Sequence, residues 1–285
     1  MSAKIRRLRF FWVPLVFGLL FLDPLEAVAR ARGALFLSAR SAAILDANTG
    51  EILFAKNPHL RLAPASTTKV MTAMIALERL PADARILIGP DAVRAAPSKA
   101  GLTAGARYAA KDLVTAALVA SSNDAAVTLA EAVSGSESAF AVLMNQKAAR
   151  LGLKNTRFVN ATGLPSAGRS PDRGQYSTAY DLSRLMWYAS RDPRIDGIMA
   201  IRDVCIRGSD GRAILLKSHN KMLWKTPCFV KGKTGWTCAS RHTFMGTNYS
   251  RPKRFTFAML CSNKPWIDIK RLATFGTAVA AKNRF

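Results

Sequence analysis

The spacing of apolar positions changes period along the chain. Ala42 to Leu45 and Glu51 to Phe54 are short apolar runs, and the gap Asp46-Ala47-Asn48-Thr49-Gly50 between them predicts a β-hairpin turn. The last third returns to the period of strands, which are predicted over Phe229 to Thr237, Thr243 to Thr247 and Phe255 to Leu260.

The middle of the chain predicts helices. Val70, Met71, Met74, Leu77 and Leu80 have helical spacing, so Ser66 lies at or near a helix N-terminus. Further helices are predicted over Asp112 to Ala120, Asp124 to Val133, Glu137 to Leu151, from Ser177-Thr178 onward, and from about Ile267 to Ala281. Asp181 follows Thr178 by three residues, which resembles a capping box. We therefore expect an α+β fold, with one antiparallel sheet built from both chain ends and an inserted helical lobe.

Residues 1–29 differ from the rest of the chain. A basic head is followed by an apolar run from Phe10 to Leu22 and by Ala27-Val28-Ala29, an order typical of a cleavable secretory signal. An uncleaved anchor is the alternative, but the run is shorter than the ~20 residues that span a bilayer, and Pro14 interrupts it. We expect a signal peptide at residues 1–29 and a periplasmic or extracellular location, with no permanent membrane anchor after cleavage.

The charge balance is strongly basic. The chain has 42 Lys+Arg and 18 Asp+Glu, a formal net charge of +24, which concentrates anionic partners near its surface. No helix-turn-helix, zinc-finger or RNP-like pattern accompanies this charge, so we do not expect nucleic acid as a partner. Cell-wall carboxylates and phosphorylated glycolipids are the expected anions for an exported protein, and general surface charge is the alternative.

Four cysteines follow the predicted signal: Cys205, Cys228, Cys238 and Cys261. Export permits disulfides, and four cysteines allow three pairings. Cys228 and Cys238 flank the strand predicted over 229–237, about 30 Å apart at ~3.3 Å per residue, so that pair is excluded and the other pairings stay open. No CxxC motif or His/Cys cluster is present, and we expect neither a metal nor a cofactor.

Ser66-Thr67-Thr68-Lys69 carries the first candidate chemistry. On a helix, residues i and i+3 share a face, so the Lys69 amine can reach the Ser66 hydroxyl. A serine is a weak nucleophile until a base takes its proton, and a lysine can serve once burial or nearby cations lower its pKa. By itself the tetrad fits an ordinary serine N-cap equally well.

Two further motifs change this interpretation. Ser121-Ser122-Asn123 lies at the predicted break between two helices, and Lys233-Thr234-Gly235 lies on a predicted strand. Each has an ordinary explanation, a cap for the first and a bulge for the second. S-x-x-K, an S-x-N turn and K-T-G in this chain order nevertheless match the joint signature of β-lactamases and penicillin-binding proteins.

From about Ala42 to Gly276 the chain resembles the D-alanyl-D-alanine carboxypeptidases among the low-molecular-mass penicillin-binding proteins. Besides the three motifs, the resemblance includes Asp46 to Gly50, Pro64-Ala65, Asp124-Ala125, Met144-Asn145, Leu151-Gly152-Leu153, Asn155-Thr156, Asn160, Gly163-Leu164, Ser177 to Asp181 and Trp236-Thr237. The resemblance implies a single catalytic domain over residues 30–285. We expect neither the C-terminal β domain nor the membrane helix of the family's larger members.

The resemblance also implies catalytic roles. Ser66 attacks the carbonyl between the last two D-alanines of a peptidoglycan stem peptide, and Lys69 takes its proton. Ser121 relays a proton to the departing D-alanine, and Asn123 holds Lys69 and the substrate amide. β-Lactams, which mimic the dipeptide, are implied to acylate Ser66 and to be released slowly.

Substrate binding is implied on the K-T-G strand. Lys233 and Thr234 grip the terminal carboxylate, Gly235 and Trp236 belong to the same site, and the backbone N–H groups of Ser66 and Trp236 form the oxyanion hole. The family commonly has a carboxylate-binding arginine near the position of Pro265; Lys264 is the candidate replacement.

Three other functions compete. A class A β-lactamase deacylates with a glutamate between the second and third motifs, but Glu137 is the last glutamate in this chain and lies in the helix directly after the second motif. A DD-endopeptidase that cuts peptide cross-links uses the same machinery as a carboxypeptidase. A peptidoglycan-binding protein without turnover is the non-enzymatic alternative, which the intact motifs disfavour.

Overall fold

The described strands form one main sheet and two two-stranded sheets. This computed structural model describes residues 35–165, 174–225, 230–250 and 253–282; the predicted signal peptide and Cys228 lie outside these ranges. The strands are β1 Ser41–Asp46, β2 Ile52–Lys56, β3 Arg85–Leu87, β4 Arg107–Ala109, β5 Asp203–Arg207, β6 Ala213–Lys217, β7 Val230–Thr237, β8 Arg241–Ser250 and β9 Lys253–Ser262.

The main sheet has the order β2-β1-β9-β8-β7, and all its pairs are antiparallel. β1 and β2 come from the beginning of the described chain and β7 to β9 from its end, so the predicted assembly of one sheet from both chain ends is confirmed. Asp46 shapes the β1–β2 turn, because its Oδ1 accepts hydrogen bonds from the backbone N–H groups of Asn48 and Thr49.

The helices lie between and after these strands. They are α1 Lys69–Arg79, α2 Pro90–Arg94, α3 Ala110–Val119, α4 Asn123–Ser134, α5 Glu137–Arg150, α6 Ala179–Ala189, α7 Pro193–Ile198, α8 Met222–Lys225 and α9 Pro265–Lys282. Apolar residues of α1, α3, α4 and α5 form the core of the helical lobe. Among the described residues, no single helix is long and apolar enough to span a membrane. α4 and α5 together reach that length and apolar composition, but the pair is bent by 83°.

Two helices cover opposite faces of the main sheet. Neighbouring residues of a strand point to opposite faces, and on β9 the Thr256 hydroxyl donates to the Ser183 carbonyl of α6, at 3.0 Å. On the other face the Phe255 ring packs against Gly276 of α9, where an added Cβ would lie 2.5 Å from the ring. The sheet is therefore buried on both sides, which explains the apolar character of β9.

The structure differs from the pattern-based predictions in several places. The short helices α2, α7 and α8 and the two-stranded sheets β3–β4 and β5–β6 were not predicted, although Gly208-Ser209-Asp210-Gly211 is a turn signal between the alternating runs of β5 and β6. The capping box is half formed. Thr178 Oγ1 accepts from the Asp181 N–H, but Asp181 Oδ2 accepts from Asn155 N–H and Thr156 Oγ1 instead of reaching back.

A buried carboxylate ties the start of the sheet to α9. Asp268, fully buried on α9, accepts hydrogen bonds from Ser38 N at 3.0 Å, Ala39 N at 2.9 Å and the hydroxyls of Ser38 and Ser262 at 2.6 and 2.7 Å. Four donors compensate for the removal of the charge from water. The residues that lead into β1 are thereby joined to the end of β9.

Replacing Asp268 with alanine should destabilise the fold. Asp268→Ala leaves two buried backbone N–H groups and two hydroxyls without their acceptor, so we expect the free energy of unfolding to fall by about 3 kcal/mol in urea denaturation. Asp203→Ala, at an exposed position on β5, is the matched control with an expected change below about 0.5 kcal/mol. Equal stability of the two variants would contradict the role assigned to Asp268.

Candidate active site

Ser66 lies in a short 3-10 turn, Ala65–Thr68, that leads directly into α1. The turn is held from two sides: Thr243 on β8 donates to the Pro64 carbonyl at 3.0 Å, and Gly163 packs against the Ala65 carbonyl. An added Cβ at Gly163, where φ is +85°, would lie 1.9 Å from that oxygen, so only glycine fits. Ala65 itself has a left-handed backbone, with φ of +48°.

Lys69 is the first residue of α1 and is fully buried. Its Nζ donates to Ser66 Oγ at 2.9 Å and to the Thr162 carbonyl at 2.6 Å. Burial lowers the pKa of Lys69 well below its ordinary value, and the Lys233 cation lowers that pKa further. The predicted i, i+3 contact is therefore present, and the amine has the environment that a general base requires.

Ser121 occupies the turn between α3 and α4, as predicted. Its backbone is left-handed, with φ of +58°, a conformation that costs a non-glycine residue free energy and that clusters at functional sites. Its Oγ accepts a hydrogen bond from Lys233 Nζ at 2.9 Å. This hydrogen bond joins the second motif to the third, although Ser121 and Lys233 are 112 residues apart in the chain.

Lys233 is the second buried amine of the site. It lies on β7, is 1% exposed, and donates to Ser121 Oγ and to the Thr234 carbonyl, the latter at 2.7 Å. Burial lowers the pKa of Lys233 to about 7. In the part of the chain that the structure describes, neither Lys69 nor Lys233 forms a salt bridge with a carboxylate.

β7, an edge strand of the sheet, runs directly beside the Ser66 turn. An added Cβ at Gly235 would lie 2.9 Å from the Ser66 nitrogen and 2.3 Å from Thr243 Oγ1, so the strand can approach this closely only with glycine. Gly232 has the same constraint on the side of β8, where an added Cβ would lie 2.3 Å from the Met245 carbonyl. Trp236 follows Gly235 with its side chain 55% exposed.

Asn123 does not hold Lys69 as the resemblance implies. Its Nδ2 donates to the Ala96 carbonyl and its backbone N–H to the Ser98 carbonyl, each at 2.7 Å. Its Oδ1 is buried without a hydrogen-bond partner among the described residues. The second acceptor of Lys69 is the Thr162 carbonyl, and Asn123 is a residue of the cleft lining with an unpartnered side-chain oxygen.

Ser66 and Ser121 border one cleft of about 680 Å³, whereas the buried Lys69 and Lys233 lie behind its lining and reach it through these two serines. Its lining includes Ser66, Ser121, Asn123, Thr234, Gly235, Trp236, His219 and His242. Among described residues the lining contains no carboxylate. Burial lowers the pKa of both histidines, aided at His219 by the charges of Lys233 and Lys69 and at His242 by Lys221.

The far end of the cleft departs from the family pattern. Pro265 and Trp266 line it, whereas Lys264 is exposed and does not. Lys221 contacts this end of the cleft, with its Nζ 5.8 Å from the centre of the Trp266 ring. The structure therefore gives no support to Lys264 as the replacement for the family's arginine.

Three of the four cysteines are described, and none of them forms a disulfide. Cys205 and Cys238 are exposed and Cys261 is partly buried. Cys238 follows directly after β7 and lines the cleft. The strand expected before Cys238 is observed as Val230–Thr237. Cys228 lies outside the described residues, so the exclusion of the Cys228–Cys238 pair stays a prediction.

Sequence reasoning missed some contributors to the site. Thr162 acts through a backbone carbonyl, which any residue type would supply, so no sequence signal marks it. His219 and His242 have no role in the sequence analysis, since nothing local shows that both border one cleft. Their separation from Ser66 in the chain hides their proximity in the fold.

The chain is similar to known proteins along most of its length. Residues 28–261 match the peptidase family S11, described as D-alanyl-D-alanine carboxypeptidase. The chain is 34% identical over 211 residues to D-alanyl-D-alanine carboxypeptidase DacF of Bacillus subtilis, a match that covers 72% of this chain and 52% of that protein. It is 31% identical over 229 residues to the D-alanyl-D-alanine endopeptidase of Escherichia coli, covering 76% and 71% of the two chains.

A solved structure shows the same architecture. The crystal structure of an evolved penicillin-binding protein homolog from Mycobacterium tuberculosis superposes with a TM-score of 0.80 at 28% identity, covering 87% of this chain and 94% of the other. The chain spans about half the length of the Bacillus relative. Because the family match covers most of the chain, the protein belongs to the D-alanyl-D-alanine carboxypeptidase family, peptidase family S11.

Proposed function

We propose that the protein is a serine-type D-alanyl-D-alanine carboxypeptidase that removes the terminal D-alanine from peptidoglycan stem peptides and binds β-lactams. The observation that carries this proposal is the hydrogen bond from the buried Lys69 amine to Ser66 Oγ, at 2.9 Å, on the wall of the cleft. Family membership supplies the substrate class. Ser66, Lys69, Ser121 and Asn123 are the proposed catalytic residues.

Acylation begins with the Ser66–Lys69 pair. Neutral Lys69 takes the hydroxyl proton while Ser66 Oγ bonds to the carbonyl carbon of the penultimate D-alanine. The negative charge that develops on the carbonyl oxygen is stabilised by the backbone N–H groups of Ser66 and Trp236. The contact between Gly235 and the Ser66 nitrogen supports this oxyanion hole, because it brings β7 beside the nucleophile.

Departure of D-alanine requires a proton on its nitrogen. Ser121 relays this proton as the C–N bond breaks. Lys233 supports the transfer by donating a hydrogen bond to Ser121 Oγ, which holds the hydroxyl in place. Lys233 and Thr234 also bind the terminal carboxylate, with the cation and the hydroxyl as donors. Asn123 Oδ1, buried and unpartnered, accepts from the substrate amide N–H. Water then hydrolyses the acyl-enzyme and regenerates Ser66.

We further propose that residues 1–29 direct export, so that a single catalytic domain over residues 30–285 acts in the periplasm or outside the cell. The basic head, the apolar run and Ala27-Val28-Ala29 support this part of the proposal. The chemistry requires the same location, because the peptidoglycan substrate lies outside the cytoplasm.

Endopeptidase activity is the second candidate. The similarity to an endopeptidase from Escherichia coli favours it, and cleavage of a cross-link also breaks a bond to the carbonyl of a D-alanine. The two activities differ in the leaving group, a free D-alanine or a cross-linked peptide. Comparison of a pentapeptide with a cross-linked dimer as substrates separates them.

Replacing the nucleophile tests the proposal directly. Wild-type protein should be labelled covalently by a fluorescent penicillin and should release D-alanine from a pentapeptide ending in D-Ala-D-Ala. Ser66→Ala should abolish labelling and lower kcat/KM by at least about a thousandfold, because no acyl-enzyme can form. Ser190→Ala, at the end of α6, is a control with activity equal to wild type.

The outcomes separate the candidate functions. Failure of the wild-type protein to be labelled would overturn the acyl-enzyme. Labelling with product released only from the cross-linked dimer would replace the carboxypeptidase with the endopeptidase. Labelling without release from either substrate would leave a penicillin-binding protein that does not turn over peptidoglycan.

The two amines should show their coupling in the pH dependence of acylation. The Lys233 cation lowers the pKa of Lys69, so removing that charge in Lys233→Gln raises the pKa of Lys69. Since only neutral Lys69 acts as the base, the acidic limb of the rate constant for penicillin acylation should move to higher pH. Stopped-flow measurement between pH 5 and 9 checks this, and an unchanged or lowered midpoint would refute the coupling.

A further inference from the structure

Glu137 lies near the active site but outside the cleft. It begins α5 and lines a second cavity of about 430 Å³, separated from the cleft by the segment Asn160–Pro165. Glu137 Oε1 accepts a hydrogen bond from the Ala161 backbone N–H at 3.0 Å. Its carboxylate does not line the cleft, so it has no access to the acyl-enzyme in the manner of a β-lactamase deacylation base.

The segment that Glu137 holds is the one that orients Lys69. The Ala161 carbonyl accepts from Thr72 Oγ1 at 2.7 Å, and the neighbouring Thr162 carbonyl accepts from Lys69 Nζ at 2.6 Å. Ala161 and Thr162 are almost fully buried. A shift of this segment would therefore move the acceptor that points Lys69 Nζ toward Ser66.

The Asn160 side chain gives the segment a second attachment. Its Oδ1 accepts from the Gly163 N–H at 2.8 Å, and its Nδ2 donates to the Leu164 carbonyl at 2.9 Å. These bonds are local and shape the turn, whereas the Glu137 bond joins the turn to α5. Glu137 is thus a long-range attachment of the segment on the side of α5, as Thr72 is on the side of α1.

Charge adds to this geometry. The charged groups that act on Lys69 are Lys233 from β7, Glu137 from α5 and Asp124 from α4; the two carboxylates oppose the effect of Lys233 on the pKa of Lys69. Asp124 already accepts from the backbone N–H groups of residues 100–102. On its cavity side Glu137 faces Glu131 and Asp91, and burial raises the pKa of Glu137.

We propose that Glu137 is a positioning residue for the acylation step: it fixes the Thr162 carbonyl, an acceptor of Lys69, through the Ala161 N–H, and its negative charge acts on the Lys69 amine. The proposal rests on the acyl-enzyme function proposed above. Glu137 touches neither substrate nor the reacting atoms and acts through Lys69.

Two substitutions separate the hydrogen bond from the charge. Glu137→Gln keeps an acceptor for Ala161 but removes the charge; the pKa of Lys69 then falls, and the acidic limb of penicillin acylation moves to lower pH. Its plateau rate, the rate constant for acylation at high pH where Lys69 is neutral, should stay within about threefold of wild type. Glu137→Ala also removes the acceptor and should lower the plateau rate between about tenfold and a hundredfold, the scale expected when a catalytic group is misplaced.

The control is Glu131→Gln, which removes a carboxylate from the same cavity without touching the segment. It should leave both the plateau and the pH profile unchanged. The rate constants are measured between pH 5 and 9 with a fluorescent penicillin, and thermal melting confirms that each variant is folded.

The readouts distinguish the possible failures. A wild-type profile in Glu137→Gln, with no displacement of the acidic limb toward lower pH, would overturn the proposal even if Glu137→Ala failed to fold. Equal limb shifts in Glu137→Gln and Glu131→Gln would also overturn it, because a general field effect would then suffice. Absence of labelling in wild-type protein would overturn the proposed function and this inference with it.

Discussion

The site depends on burying two lysine amines, neither of which has a carboxylate partner among the residues that the structure describes. Lys69 and Lys233 are both almost completely inaccessible, and each donates to one serine hydroxyl and one backbone carbonyl. Burial of an unpaired charge is costly, so both amines have lowered pKa values and release protons more readily than exposed lysines. The surrounding structure must supply neutral acceptors in fixed positions, and this requirement explains much of the local architecture.

Those acceptors come from four separate parts of the chain. The Ser66 turn, the α3–α4 turn, the segment around Thr162 and the strand β7 meet at the cleft, and glycines permit the closest approaches. Gly163 packs against the Ala65 carbonyl, and Gly235 packs against the Ser66 nitrogen. Both contacts are too close for a residue with a Cβ. Because the sheet joins both chain ends, and Asp268 ties the residues before β1 to α9, β7 is held on a rigid support beside the helical lobe.

The two buried amines, Lys69 and Lys233, contact different serines of the site. Lys69 reaches Ser66, the proposed nucleophile, whereas Lys233 reaches Ser121, the proposed proton relay. The positive charge of Lys233 disfavours protonation of Lys69. Among the described residues, the carboxylates that act on Lys69 lie outside the cleft lining, as Glu137 and Asp124 do. The described part of the cleft wall therefore has no acidic group that would repel the carboxylate of the proposed substrate.

The sequence alone determined the sheet from both chain ends, the main helices and the three motifs, because periodicity and short spacings are local properties. It did not reveal the contact of Lys233 with Ser121, the placement of Thr162 instead of Asn123 on Lys69, or the exclusion of Lys264 from the cleft. These depend on where distant segments pack and on backbone carbonyls that carry no residue-type signal. The sequence by itself showed Ser66 and Lys69 at positions i and i+3. Only the tertiary structure buries Lys69, and this burial lowers its pKa as the proposed role of base requires.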